Sequence, residues 1–187
     1  MTDFSNKLDR RRFSGIALGF AGALAGAGAA RAADDPENLL YLQLKDGRVV
    51  IRLRPDLAPK HVAQIKALAR KGFYDGIVFH RVIDGFMAQT GDPTGTGTGG
   101  SDLPNIPAEF SQEPFKRGTL GMARSSSPNS ANSQFFICFA AAPFLNGQYT
   151  VWGEVISGME FVDKIKRGEP PANPDKIVSM KVAADVK

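Results

Sequence analysis

The sequence FHRVIDGFMAQTGDPTGTGTGG, residues 79–100, combines two strand-like pieces with a glycine-rich loop. Its first half places Arg81, Phe86, Met87 and Gln89 within nine positions, across a pattern that predicts two strands and a turn. Because side chains alternate between the faces of a strand, we expect Met87 and Gln89 on one face. Taken alone, the stretch favours a structural role, with Phe86 and Met87 in a core and Arg81 solvated.

The glycine-rich part of this stretch, Gly95-Thr96-Gly97-Thr98-Gly99-Gly100, is a candidate for a phosphate-binding loop. A P-loop ends in Gly-Lys-Ser/Thr and opens a helix, and the sequence here does neither. We therefore predict a mobile surface loop at this place. The sequence supports no nucleotide, dinucleotide or other cofactor.

The rest of the chain predicts a mainly β domain with two helices. Asp46-Gly47 between the runs Leu39–Leu44 and Val49–Leu53 is typical of a β-hairpin. Apolar residues at helical spacing, bounded by a proline and a glycine, predict a helix over Pro59–Lys71. Further strands are predicted near 77–82, 86–89, 119–123, 135–139, 150–155 and 177–182, and a second helix over 159–166. Many short strands separated by Gly, Pro and Ser favour a barrel or a sandwich.

Residues 1–32 have the layout of an export signal. Asp9-Arg10-Arg11-Arg12-Phe13-Ser14 precedes a Gly- and Ala-rich apolar run, and Ala30-Arg31-Ala32 offers a cleavage site between small residues. The arginine pair resembles a twin-arginine signal, and the apolar run is too short and glycine-rich for a stable membrane-spanning helix. We expect cleavage after Ala32, one mature domain over 33–187 and a periplasmic location. A basic, mobile tail is the alternative.

Composition and charge exclude several classes of protein. The 187 residues are 43% hydrophobic and 22% charged, which suits an ordinary globular domain, and a single cysteine cannot form an internal disulfide. The pI of about 9.3 would favour a nucleic-acid partner. However, residues 1–32 hold five of the 23 basic residues and two of the 19 acidic ones, which leaves 18 basic and 17 acidic residues. We expect no nucleic-acid partner for the mature domain.

Covalent and metal catalysis have few candidate residues. The only histidines, His61 and His80, lie far apart in sequence, without a second ligand at helical spacing, so no metal site is predicted. No Gly-x-Ser-x-Gly or Cys-His motif accompanies them. Cys138 lies within the apolar run Phe135–Phe139, where a thiol is more often buried filler than a nucleophile.

Several ordered motifs together resemble the cyclophilin-type peptidyl-prolyl cis-trans isomerases. Besides residues 79–100 these are AEF (108–110), GTLGMARSSSPNSANSQFFICF (118–139), FLNGQYTVWGEV (144–155) and GMEFVDKI (158–165). The resemblance implies a closed eight-stranded antiparallel β-barrel capped by two α-helices. It also implies noncovalent isomerisation of X-Pro bonds, with proline-containing polypeptides as partners, and a role in the folding of exported proteins.

The resemblance also assigns roles to residues. It implies that Arg81 is the catalytic arginine, with Gln89 and Phe86 beside it. The substrate groove is then completed by Met87, Ala123, Arg124, Ser125, Gln134, Phe136, Phe144, Leu145 and Tyr149. In this assignment Phe136 forms the floor of the proline pocket, and Gln134 lies at its rim.

Two groove positions depart from the common eukaryotic pattern. Phe144 stands where many eukaryotic members have a tryptophan that cyclosporin uses, so we expect weak cyclosporin binding with activity retained. Tyr149 replaces a histidine and keeps a stacking surface with one hydrogen-bonding group. Arg124 and the loop after it resemble the bacterial form.

A chaperone that uses the same groove without relevant catalysis is the alternative function. The complete set of Arg81, Gln89 and Phe136 argues for the enzyme. The sequence argues further against a scaffold role, because the mature chain shows no added interaction domain. We expect the mature chain to be a monomer with no stable membrane association after cleavage.

Overall fold

Eight antiparallel strands form one curled sheet in the computed structural model, which describes residues 35–187. The strands are β1 (Leu39–Leu44), β2 (Gly47–Leu53), β3 (Arg81–Ile83), β4 (Met87–Thr90), β5 (Thr119–Met122), β6 (Phe135–Cys138), β7 (Val151–Ser157) and β8 (Ser179–Val182). Their spatial order is β3-β4-β6-β5-β7-β2-β1-β8. The proposed export signal, residues 1–32, lies outside the described residues.

The mainly β fold is confirmed, but the expected closed barrel is not. The strands β3 and β8 are the two edges of the sheet, and among the described residues no ladder joins them. The segments that precede them meet at the bridge between Val78 and Lys176. The outer edge of β3 is instead occupied by Gly168, which exchanges two backbone hydrogen bonds of 2.8 Å with Val82. The sheet is therefore curled and open.

Two α-helices accompany the sheet. The first, α1 (Pro59–Arg70), buries Val62, Ile65 and Leu68 and ends one residue before its predicted limit. The second, α2 (Met159–Val162), is one turn long, so the predicted extent of 159–166 is wrong. Beyond Val162 the amides of Lys164 and Ile165 bond to carbonyls three residues back, which is turn geometry. No helix within residues 35–187 is long and apolar enough to cross a membrane.

The predicted hairpin and the remaining strands are present with shifted ends. The strands β1 and β2 pair from Leu39–Arg52 to Leu44–Gly47, which leaves a two-residue turn at Lys45 and Asp46. The last strand begins at Ser179, two residues later than expected, and the strand predicted over 77–82 is Arg81–Ile83.

The sheet buries side chains on both of its faces. Its inner face forms the main core with α1, and the largest side chains buried there include Trp152, Tyr74 and Phe135. A smaller apolar cluster lies on the outer face of β4, β5 and β6, around Met87 and Phe136. We call it the outer cluster. Because both faces are covered, β5 and β6 are buried at every position instead of alternating.

Candidate active site

The candidate site begins with one row of residues across four strands. Arg81 of β3 pairs with Gln89 of β4, Gln89 pairs with Phe136 of β6, and Phe136 pairs with Gly121 of β5. Cross-strand partners place their side chains on the same face of a sheet. Their neighbours along the strands, such as Ile137, belong to the main core. The row therefore lies on the outer face.

The outer cluster forms an apolar floor beneath this row. Its buried members are Met87, Phe115, Phe136, Cys138, Ala142, Leu145 and Val151, with Phe86, Ala123 and Tyr149 partly buried against it. The Phe136 ring stacks on Phe115, with centroids 5.8 Å apart, and meets Tyr149 edge-on at 5.9 Å. Gly121 lacks the Cβ that would overlap the Phe136 ring, so the ring can lie flat across β5.

A cavity of about 640 Å³ opens above this floor and brings together most of the predicted site residues. Nine of them line it: Arg81, Phe86, Met87, Gln89, Ala123, Arg124, Phe136, Leu145 and Tyr149. We call this cavity the groove. It combines an apolar floor with polar and charged groups along its sides.

Three predicted residues lie outside the groove. Ser125 and Gln134 line an adjacent cavity of about 530 Å³. This cavity shares four residues with the groove: Gln89, Gly97, Ala123 and Arg124. Phe144 lines neither cavity; it is 63% exposed, and its ring centroid lies 5.2 Å from that of Phe86.

A chain of hydrogen bonds connects the polar groups of the row. Arg81 Nε donates to Glu169 Oε2 at 2.8 Å, and Arg81 Nη1 makes a long contact of 3.5 Å with Gln89 Oε1. Gln89 Nε2 donates to Gln134 Oε1 at 2.9 Å. Gln134 Nε2 in turn donates to the carbonyl oxygens of Gly97 at 3.0 Å and Gly99 at 2.8 Å. The guanidinium is thereby placed at the groove with donors free to face a substrate.

The glycine-rich loop is exposed, as predicted, but it is anchored by a buried carboxylate. Asp92 accepts the backbone amides of Thr94, Thr96 and Gly97 at 2.6–3.1 Å. Burial alone would raise the pKa of Asp92, but hydrogen bonds from the Thr94 hydroxyl and from the backbone amides of Thr94, Gly99 and Gly97 lower it to about 2. Asp92 is therefore ionised at neutral pH and organises the loop that forms one wall of the groove.

Arg124 contributes a second guanidinium to the lining of the groove. Its guanidinium carbon lies 4.5 Å from the centroid of the Tyr149 ring, and its Nη2 donates to the Gln148 carbonyl at 2.9 Å. Stacking on an aromatic ring holds the planar guanidinium in place.

The groove also contains residues that the sequence did not single out for it. These are His80, Gly95, Thr96, Gly97, Glu169 and Pro170. Burial lowers the pKa of His80, and Arg81 lowers it further while Asp92 opposes both, so the imidazole is neutral at neutral pH. Glycine richness was a visible signal for the loop. No local sequence pattern predicted that Glu169 lies at the groove. It is brought there by the long-range bridge between Val82 and Gly168.

The structure offers few groups for covalent or metal chemistry. Cys138 is fully buried, and burial raises its thiol pKa to about 12, which confirms its role as filler. Within residues 35–187, no three His, Cys, Asp or Glu side chains form a group that could hold a metal ion.

Comparison with known proteins identifies the family. The family model for "Cyclophilin type peptidyl-prolyl cis-trans isomerase/CLD" matches residues 39–182. The chain belongs to the cyclophilins. A Brucella suis biovar 1 (strain 1330) protein named "Probable peptidyl-prolyl cis-trans isomerase" is 58% identical, over 91% of this chain and 95% of its own. This cyclophilin therefore has peptidyl-prolyl cis-trans isomerase activity.

Solved cyclophilin structures show the same fold. Cyclophilin AquaCyp293 from Hirschia baltica superposes with a TM-score of 0.77 at 29% identity, covering 89% of this chain and 83% of its own. A cyclophilin-type isomerase from Cryptosporidium parvum, crystallised in the presence of the dipeptide Ala-Pro, gives a TM-score of 0.71 at 30% identity. That match covers 77% of this chain and 98% of the other.

Proposed function

We propose that this cyclophilin isomerises X-Pro bonds of exported polypeptides in the outer-face groove, with Arg81 as the principal catalytic group. The observation that carries the proposal is the row that aligns Arg81 and Gln89 above the apolar floor at Phe136. The apolar floor suits a prolyl ring, and the polar groups beside it suit the amide that precedes the ring.

The reaction needs no bond between protein and substrate. Amide resonance sets a barrier of roughly 18–20 kcal/mol to rotation, and the enzyme has only to favour the twisted amide. In our proposal Phe86, Met87 and Phe136 hold the proline ring, while Gln89 fixes the preceding carbonyl.

Arg81 then donates to the prolyl nitrogen. The lone pair of that nitrogen becomes available only when rotation breaks the resonance, so the interaction is stronger in the transition state than in the ground state. A guanidinium suits this role because it stays charged and its planar donors can serve two acceptors together.

A coupled isomerase assay on residues 33–187 tests the role of Arg81. Arg81→Ala should lower kcat/KM by about 100-fold or more, as removal of a transition-state donor does elsewhere. Arg81→Lys keeps the charge without the planar donors and should be intermediate. Wild-type turnover by Arg81→Ala would refute the proposed mechanism. Equal support of client refolding by wild type and Arg81→Ala would instead favour a binding chaperone.

The export role rests on residues 1–32. We propose that this signal carries the folded domain through a twin-arginine pathway to the periplasm, where it acts as a monomer without stable membrane association. Changing Arg10 and Arg11 together to Lys should abolish export. Periplasmic accumulation of that double variant would refute the twin-arginine route.

Cyclosporin should inhibit the enzyme weakly, because Phe144 replaces the tryptophan that the inhibitor uses in eukaryotic members. The exposed Phe144 can be changed to Trp without disturbing the core. Phe144→Trp should therefore strengthen inhibition while leaving turnover nearly unchanged. Nanomolar inhibition of the wild-type protein would contradict this proposal.

A further inference from the structure

We infer that Glu169 is a positioning residue for Arg81 and that it raises the turnover of this enzyme without contributing to substrate affinity. The inference rests on the role proposed for Arg81. Among the described residues that line the groove, Glu169 is the one carboxylate, and its Oε2 lies 2.8 Å from Arg81 Nε.

The backbone places Glu169 directly beside Arg81. Gly168 exchanges two hydrogen bonds with Val82 in an antiparallel bridge. Glu169, which follows Gly168, therefore faces Arg81, which precedes Val82. Glu169 thus extends the row of Arg81, Gln89 and Phe136 by one position.

The segment that carries Glu169 is held against β3 at neighbouring points. Arg167 donates from Nε to Asp84 Oδ1 at 3.0 Å, and its guanidinium lies 4.1 Å from the centroid of the Phe139 ring. Gly168 has a φ of +147°, and a Cβ there would lie 2.5 Å from the Cα of Pro171. Only glycine allows this path, so the position of the carboxylate is built into the backbone.

The ion pair between Arg81 and Glu169 is suited to orienting the Arg81 side chain and contributes little to the stability of the fold. The side chains of Arg81 and Glu169 are 43% and 51% exposed, and exposed ion pairs contribute little to the free energy of unfolding. An arginine on a three-residue edge strand otherwise has several rotamers available. By accepting from Nε, Glu169 selects the rotamer that directs the terminal nitrogens into the groove.

The contact leaves substrate binding to other groups. The apolar floor around Met87, Phe136 and Leu145 does not include Glu169. Loss of the carboxylate should therefore lower kcat and leave KM unchanged, because ground-state binding of the proline ring is intact.

Three variants of residues 33–187 test the inference in the coupled isomerase assay. Glu169→Ala should lower kcat about three- to ten-fold, the range expected when a charge-assisted contact that orients a catalytic group is lost. Glu169→Gln keeps an acceptor at the same position and should stay within about two-fold of wild type. Asp84→Asn removes the negative charge of the neighbouring ion pair but keeps an oxygen that can accept from Arg167 Nε, so the segment stays in place and kcat should be unchanged.

A second measurement follows the guanidinium itself. The Arg81 Nε–H signal in ¹H–¹⁵N NMR should be protected from exchange in wild type and Glu169→Gln, and it should be lost in Glu169→Ala. The NMR measurement does not depend on whether the enzyme turns over substrate. An inactive wild-type protein with a protected signal would refute the proposed function and leave the contact standing.

Other results would overturn the inference. An unchanged kcat in Glu169→Ala would show that Arg81 is oriented without the carboxylate. A raised kcat would show that Glu169 competes with substrate for Arg81. Equal losses in the Gln and Ala variants that disappear at high salt would show a long-range charge effect in place of positioning.

Discussion

Phe135 and Phe136 are neighbours in β6, yet they belong to different regions of the molecule. Phe135 is fully buried in the main core, where its ring meets Tyr74 and Trp152 edge-on at centroid distances of 5.6 and 5.4 Å. Phe136, 5% exposed, lies on the outer face, where it forms the floor of the groove. Burial is nearly the same for the two rings, so burial alone does not distinguish core from site.

The two faces of the sheet differ in the elements and side chains that cover them. The inner face is closed by α1 and by apolar side chains from the surrounding strands. The outer face carries Arg81 and Gln89 in register with Phe136, and its apolar floor stays open to a cavity. One sheet thus supplies stability from one face and chemistry from the other.

Replacement of the two phenylalanines by alanine should separate these contributions. Phe135→Ala leaves an enclosed void and should cost about 3–5 kcal/mol of unfolding free energy, with kcat/KM of the folded fraction unchanged. Phe136→Ala opens onto the existing groove, so it should cost less stability but raise KM strongly. Urea unfolding and the isomerase assay on both variants measure these effects.

The opposite pattern would contradict this division. If Phe136→Ala were the less stable variant and bound substrate normally, the outer cluster would be part of the core and the groove would be incidental.

Local patterns accounted for the hairpin and the first helix. Asp46-Gly47 indicated the hairpin, although the two turn residues are Lys45 and Asp46 and Gly47 is the first residue of β2. The spacing of Val62, Ile65 and Leu68 follows the helical period, so both elements are set by neighbours in sequence. The run Phe135–Cys138 indicated a strand, but it could not indicate which of its side chains point to the core and which to the groove. Because both of its faces are buried, the alternation that distinguishes them is absent.

Long-range pairing was the part that could not be predicted. The open edge of the sheet and the position of Glu169 both follow from the pairing of Gly168 with Val82, which no local pattern reveals. The resemblance assigned twelve residues to the site, and nine of them line the groove. It did not show that Ser125 and Gln134 line a neighbouring cavity or that Phe144 lies beside the groove. Those distinctions depend on side-chain packing.

Gly121 lies against Phe136 and Phe115 of the outer cluster, and its replacement should show how tightly the floor of the groove is packed. A Cβ on Gly121 would overlap the Phe136 ring and lie 2.7 Å from Phe115 Cε1. Gly121→Ala should therefore cost about 1–3 kcal/mol and lower kcat/KM as the ring moves into the groove. With Phe136→Ala present, the added cost should fall, because the two residues are in contact. Additive unfolding energies in the double variant would argue against this packing.

Acid should weaken the fold through one histidine in each region. His61 of α1 is fully buried, with Nδ1 2.7 Å from Glu109 Oε2, and burial lowers its pKa below the ordinary 6.5 despite that carboxylate. Burial likewise lowers the pKa of His80 in the groove. The unfolded chain therefore binds protons at a higher pH than the folded one. The free energy of unfolding should fall as the pH drops through 6.5, by at most about 1.4 kcal/mol per pH unit and histidine.

Urea unfolding at pH 7.5 and 5.5 measures this dependence. The interval stays above the range of Glu109, whose pKa is lowered from 4.5. His61→Gln should reduce the difference between the two pH values, and His61→Gln combined with His80→Gln should nearly remove it. A wild-type difference that persists in the double variant would assign the acid sensitivity to other groups. If His61→Gln alone removed the whole difference, the acid sensitivity would come entirely from His61. His80 would then have the same pKa in the folded and the unfolded chain.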